Sequence, residues 1–410
     1  MLELLAPAGD FSKLQTAFHY GADAVYLGGN AFGLRASAKN FDAEQLKIAV
    51  DYAHSLGKKV FITVNIFAYN SDFEPLKDYL IYLQSIDVDA VIISDAGVLA
   101  FCKQVAPKLQ IHLSTQANTT NKYSAKFWAE QGVSRIVLAR ETCLEDIAEI
   151  KDFLPNEVEL EAFVHGAMCI SYSGRCLLSN FLTKRNGNRG ECVQACRWEY
   201  DITEHTHHDG KKLTIGEDDR GTYILNSKDL NMIEHIDKLA KAGVTSFKIE
   251  GRMKSQYYVG SVVNAYRKAI DCYNNAPDNY KIDSSLIEEL QKNSHRDFTT
   301  GFYFKDTDNV CLETSQPKCD YEFIAEVKGY DKQKKLLTVE QRNRFKVGDS
   351  LEILSNNSKY FNKTLTITSM FDEKNLPIDD AKNVQQILNI PCEMELSAMD
   401  ILRKGAVKND

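Results

Sequence analysis

Proline and glycine are scarce in this chain, at 8 and 22 of 410 residues, which excludes a collagen-like or low-complexity protein. Long apolar runs are missing too. No window approaches the roughly 18 uninterrupted apolar residues of a membrane-spanning helix, and the opening MLELLAPAGD has neither the basic stretch nor the apolar stretch of a signal peptide. The expectation is a cytoplasmic protein. Positive charge is also in deficit, with 49 Lys and Arg against 57 Asp and Glu and a net charge of −8. That argues against coating nucleic acid by bulk electrostatics and leaves a local basic face open. What is present is a globular composition, 44% hydrophobic and 26% charged, in a chain long enough for two or three domains. Ten cysteines are unusual, and without a secretory context they do not read as a disulfide framework.

The first 275 residues alternate short β-rich apolar runs with amphipathic stretches of helical spacing, the pattern of βα units around a parallel sheet. Eight strands are predicted, at Leu2–Leu5, Ala24–Leu27, Lys59–Val64, Ala90–Ser94, Ile111–Ser114, Arg135–Ala139, Val158–Val164 and Ser246–Ile249. Helices are predicted at Ala43–Leu56, Phe73–Ile86, Leu144–Leu154, Leu230–Ala242 and Gln256–Tyr273. Eight repeats suit a closed (β/α)8 TIM-like barrel, with an open doubly wound sheet as the competing arrangement. Polar or glycine residues follow every predicted strand: Gly9 and Asp10, Gly28 and Gly29, Asn65, Asp95, Thr115 with Gln116 and Asn118, Arg140 and Glu141, His165 and Gly166, Glu250 and Arg252. Polar rims converging on one mouth favour the barrel.

Between the seventh and eighth strands lie about 80 residues, so a Cys-rich insertion over 166–228 is expected at the catalytic face. Residues 276–319 read as a linker, and 320–405, with alternation such as Leu337, Val339 and Gln341 against Leu336, Thr338 and Glu340, as a small C-terminal β-barrel.

The insertion holds Cys169, Cys176, Cys192 and Cys196, spaced C-x6-C-x15-C-x3-C. Four such thiolates can hold a [4Fe–4S] cluster or a zinc ion, and the lack of any C-x2-C knuckle favours iron–sulfur over zinc. The bland alternative, free thiols as small buried hydrophobes, suits Cys102, Cys143 and Cys272 better than these four, which sit among Gly174, Arg175, Arg189, Gly190 and Arg197. His165, four residues before Cys169, raises a thiol peptidase as an alternative, against a polar rim role or simple packing. Glu161 and Glu250, near Lys248, Arg252 and Lys254, are either acid–base carboxylates or buried ion pairs. His205, His207 and His208 lie in a polar loop and read as solvated, and Gly28–Gly29 lacks the glycine spacing of a dinucleotide site. Two stretches are locally basic: Phe181–Arg197, with Lys184, Arg185 and Arg189, and Lys328–Gly348, with Arg342, Arg344 and Lys346. Either is a solvated face or an RNA contact; Phe345 on the expected small β-barrel would add a stacking ring beside those cations.

The runs EAFVHGAMC and SYSGRCLLS, with APAGD, ECVQACRW, NSKDL, KIEGRMKS and VEQRNRFKVGD, closely resemble the peptidase U32 family over nearly the whole chain. The family name records peptidase assignments, while other members resemble RNA or quinone hydroxylation proteins. The resemblance implies prephenate-dependent hydroxylation of wobble uridine to 5-hydroxyuridine in the tRNA anticodon stem-loop. It also implies a [4Fe–4S] cluster on Cys169, Cys176, Cys192 and Cys196, loading by the iron–sulfur assembly machinery and a possible U32 partner protein. Arg140 and Arg252 then become clamps for the co-substrate dicarboxylate, with Lys248 and Lys254 beside them, and His165, Glu161 and Glu250 the candidate catalytic groups. One departure concerns the residue after KDL, a cysteine in many members and Asn231 here. If that position supplies a ligand in relatives, Cys196 must do so in this chain, or the site has three cysteines and an open iron.

Overall fold

The computed structural model describes residues 2–33, 40–169, 171–198, 216–218, 221–223, 227–305 and 317–405. The strands β1 (Glu3–Pro7), β2 (Ala24–Leu27), β3 (Lys59–Val64), β4 (Ala90–Ile93), β5 (Ile111–Leu113), β6 (Arg135–Val137) and β7 (Glu159–Ala167) pair in parallel, each with the next. After a small hairpin, β8 (Gly216–Asp218) and β9 (Gly221–Tyr223), and a short β10 (Asp229–Asn231), β11 (Ser246–Ile249) pairs with both β7 and β1 and closes the barrel. The eight-repeat reading therefore holds. Outward residues such as Leu4, Ala6, Val25 and Ile62 join the helices in the main core, while Leu5, Ala24, Tyr26, Phe61, Ala90 and Ile92 fill the lumen, as period-2 alternation requires.

The connecting helices are α1 (Phe11–His19), α2 (Ala43–Ser55), α3 (Phe73–Ser85), α4 (Ala96–Val105), α5 (Lys122–Glu130) and α6 (Leu144–Phe153). Two of the polar residues after strands turn out to start helices: Asp10 accepts from the Lys13 amide at 3.0 Å, and Asp95 from the Val98 amide at 3.0 Å. Each satisfies an orphan N–H of a first turn.

β7 is nine residues long and outreaches its neighbours. Its protruding end takes an antiparallel partner, with Asp229 opposite Ala167 and Asn231 opposite His165 in β10. This pairing draws residues 229–231 out of the helix expected at Leu230–Ala242, which shortens to α8 (Ile236–Lys241), following α7 (Leu178–Thr183) of the insertion. The long α9 (Gln256–Asn275) then packs on β1 and α1, and its Tyr266 hydroxyl donates to the Val164 carbonyl of β7 at 2.7 Å.

Residues 276–305 are more than a linker. Helix α10 (Ser284–Gln291) buries Leu286 and Leu290 in the barrel's core, β12 (Phe298–Thr299) extends the sheet beside β10, and the Tyr303 hydroxyl donates to the Phe163 carbonyl at 2.6 Å. The C-terminal unit is an eight-stranded antiparallel sheet with its own core, which includes Ile324, Val339, Leu351, Leu388 and Leu402. Its Leu354 and Ile401 join the barrel's core instead. Arg403, fully buried, forks onto Glu289 of α10 at 2.5 and 2.6 Å and onto Glu352 at 2.6 Å. Among the described residues, no helix is long and apolar enough to cross a membrane.

Candidate active site at the barrel mouth

The lumen is charged at its base. Arg135 bonds Glu3 at 2.5 Å, Glu159 at 2.6 Å and Glu161 at 3.2 Å, and Lys248 bonds Glu161 at 2.6 Å. Glu161 is fully buried, and Lys248 is almost so, its ammonium lying over the rings of Tyr26 and Phe163 at 4.6 and 5.4 Å. Of the two readings of Glu161, acid–base carboxylate or buried ion pair, its surroundings match the second: with Lys248 and Arg135 it lies in the barrel interior, in a mutually neutralising network whose loss would strand buried charge. Above it, the Tyr26, Phe61 and Phe163 rings form an apolar floor, and buried His112 packs edge-on to Phe61, its pKa held well below the usual range by desolvation and by Arg135 and Lys248.

The mouth proper begins at that floor. Arg140, one turn past β6, spreads its guanidinium over Phe163 at 4.0 Å and bonds Glu250, which follows β11, at 3.2 Å. Arg252 is buried at the ends of β2 and β3, donating to Thr63 Oγ1 at 3.1 Å and Asn40 Oδ1 at 2.6 Å. Its path explains Gly28. A Cβ there would stand 2.6 Å from the guanidinium, so glycine is what lets the arginine cross. Between these groups Asn65 Nδ2 and the Ser114 hydroxyl both donate to Gln116 Oε1 at 2.7 Å. Glu141 accepts from the Ser173 amide at 3.1 Å through one oxygen, its other oxygen is buried without a hydrogen-bond partner, and desolvation raises its pKa. Glu141, Asn65 and Gln116 are site residues that the sequence reading placed on the rim without a role; their position directly after barrel strands was the available signal.

The insertion is pinned over this mouth at two points. Gly174 has φ +74° and packs on Gln116, where a Cβ would come within 2.8 Å of the glutamine side chain. Arg189 grips Asp72 at 2.8 and 3.1 Å and the Phe67 carbonyl at 2.6 Å, stacks on Tyr69 and holds the Asp72 carboxyl below the usual range. Arg189 thus anchors the insertion, whereas Lys184 and Arg185 are exposed.

None of Cys169, Cys176, Cys192 and Cys196 is in a disulfide. Cys192 Sγ accepts from the Gln194 amide at 3.4 Å and the Ser179 hydroxyl at 3.8 Å, donors that suit a thiolate or a metal-bound sulfur. Among the described residues, no three His, Cys, Asp or Glu side chains stand together as a metal-holding group. Thiol donors are chemically suited to an iron–sulfur cluster, but as placed they form no metal-holding group, so binding one requires them to draw together. His205, His207 and His208 lie outside the described residues.

His165 does not face the mouth. A bulge between β7 and β11 turns it under α9, among Tyr258, Tyr266 and Phe298, and burial pushes its pKa down to about 3. That neutral, ring-enclosed imidazole has no hydrogen bond to a cysteine among the described residues, so no peptidase-like pair is assembled. Lys254 likewise turns away, donating to the Ser294 carbonyl at 3.2 Å. In the C-terminal unit Arg342 pairs with Glu326 at 2.7 Å and Glu340 at 3.1 Å, and Arg344 with Asp380 at 2.6 Å, while Lys346 is exposed.

Comparison with known proteins gives this geometry its context. The model of peptidase family U32 matches residues 9–311, and that of the peptidase family U32 C-terminal domain matches residues 319–403. The tRNA hydroxylation protein P1 of Bacillus subtilis is 42% identical over 98% of this chain and 94% of its own length. The tRNA hydroxylation protein P of Escherichia coli is 37% identical over 98% and 96%. The 23S rRNA 5-hydroxycytidine C2501 synthase of Escherichia coli is 37% identical over 66% of this chain and 39% of its own length. With a family model covering the barrel and a second covering the sheet that follows it, the chain belongs to peptidase family U32.

Proposed function

We propose that this chain is an RNA hydroxylase that converts wobble uridine of tRNA to 5-hydroxyuridine in the cytoplasm. The observation that carries the reading is the likeness to two tRNA hydroxylation proteins across 98% of the chain. A relative named for 5-hydroxycytidine in ribosomal RNA shares the barrel region, which points to a common pyrimidine hydroxylation. The anticodon stem-loop is the part of tRNA that enters the mouth.

Within that mouth the chain's own groups divide the work. The Phe163 and Tyr26 rings give a dry floor for a base. Arg140 and Arg252 offer two guanidiniums to a dicarboxylate co-substrate such as prephenate, since planar forks match carboxylates. Glu141, whose carboxyl burial favours the protonated form, and Glu250, beside Arg140, hold or accept protons at the rim. A [4Fe–4S] cluster on the four insertion thiols, loaded by the iron–sulfur assembly machinery, would supply one-electron chemistry.

The test is nucleoside mass spectrometry of tRNA from a strain lacking the gene. The reading expects 5-hydroxyuridine and its derivatives to fall, to return with the wild-type chain and to stay low with Cys176→Ala. Unchanged nucleoside content in the deletion strain, with no second copy of the activity, rejects it.

A further inference from the structure

Two basic stretches compete to be the RNA-binding face, and their ion pairing separates them. In the C-terminal unit Lys328 and Arg342 are both tied to Glu326 and Glu340, and Arg344 to Asp380. Their charge is already answered by protein carboxylates. On the insertion, Arg175, Lys184 and Arg185 are exposed, and among the described residues none of the three forms an ion pair. Glu191 is the single acid between Phe181 and Arg197.

Apolar surface accompanies those cations. Helix α7 turns Ser179 inward, where it is buried and bonds Cys192, and this leaves Leu177 and Phe181, four residues apart on one face, 69% and 81% exposed. Tyr172, in the turn that leads into Arg175, is 59% exposed. Large apolar side chains this open are not packing residues, and beside unpaired cations they are poorly suited to an ordinary solvated face. The adjoining Ser173 and Gly174 contact Glu141 and Gln116, so this surface borders the mouth.

We propose that Phe181, with Tyr172 and Leu177, forms a stacking platform for unpaired bases of an RNA loop, its phosphates held by Arg175, Lys184 and Arg185. Base–aromatic stacking beside a cationic track selects single strands over duplexes, because a paired base has no free face to offer. The platform thereby presents a loop nucleotide to the mouth, a deepening that rests on the RNA hydroxylation reading.

Fluorescence anisotropy of the full chain with a labelled anticodon stem-loop RNA, and with a duplex RNA of equal length, tests this. Phe181→Ala is expected to weaken loop binding on the order of tenfold and to leave duplex binding nearly unchanged. Phe181→Tyr keeps wild-type affinity, and so does Tyr123→Ala, which removes another exposed ring, on α5. Loop affinity unchanged in Phe181→Ala overturns the platform and leaves the hydroxylation reading standing. A wild-type chain that binds neither RNA overturns both.

Discussion

His165 and His112 show how far a residue's depth departs from its neighbours in sequence. Both imidazoles are buried and held neutral, His165 with its pKa pushed down to about 3 and His112 well below the usual range, desolvation being the first cause in each. An unfolded histidine takes up a proton near pH 6.5, so below about that pH the unfolded chain binds protons that the native chain refuses. Stability therefore falls as pH drops from about 6.5 toward 3, by up to about 1.4 kcal/mol per pH unit for each of the two groups. Urea midpoints should decrease between about pH 7.5 and about pH 5; constant midpoints over that interval would contradict the burial of both rings in neutral form. Glu161 teaches the same lesson. Its place on a strand was legible, but whether it meets the rim or the base depends on the stagger of eight strands, which no local pattern records. Arg140, Glu250 and Arg252, just past strand ends, were legible because the barrel brings every such position to one mouth.

At the scale of elements, strand boundaries, apart from the far end of β7, which runs three residues past the expected Val164, and most predicted helices follow the sequence within a residue or two, because their buried faces repeat cleanly. Helices α1, α4 and α5 were not among those read from the sequence; in α5, Ala125 is the one buried residue. The segment Leu230–Ala242 failed for a non-local reason, the antiparallel pairing of β10 with the overlong β7. The insertion is the element on which the site depends most, and Arg189 is one of its two points of attachment. Arg189→Ala removes the bidentate contact to Asp72 and the bond to the Phe67 carbonyl. The expected result is a melting temperature within a few degrees of wild type, faster proteolytic cleavage near residues 170–198, and a several-fold loss of 5-hydroxyuridine in complemented cells. A variant with unaltered protease sensitivity would show that the anchor lies elsewhere.

For the whole molecule, the expected linker over 276–319 is the point where sequence patterning gave least, because α10 and β12 are short and α10 is buried by both units at once, with Leu286 and Leu290 in the barrel's core and Glu289 on Arg403. The same region carries the joint between barrel and C-terminal sheet. Arg403 is fully enclosed there with Glu289 and Glu352, and Tyr20 donates to the Leu354 carbonyl at 2.9 Å. Truncating one member of such a buried pair leaves an uncompensated charge, at a cost of about 3–5 kcal/mol. Arg403→Ala should lower the melting temperature and yield a partly folded chain by limited proteolysis, and Arg403→Met should lose less because it fills the space, although both leave the buried Glu289 carboxylate without its partner. Equal stability in Arg403→Ala and wild type would mean that the two units are not held by this contact.

The central claim is that the mouth framed by Arg140, Glu250 and Arg252 hydroxylates RNA, and it is tested most directly by the 5-hydroxyuridine content of tRNA from cells whose single copy carries Arg140→Ala. The account predicts a fall to the level of the deletion strain while the purified variant keeps its melting temperature and its affinity for the anticodon stem-loop. Wild-type 5-hydroxyuridine in those cells would contradict it.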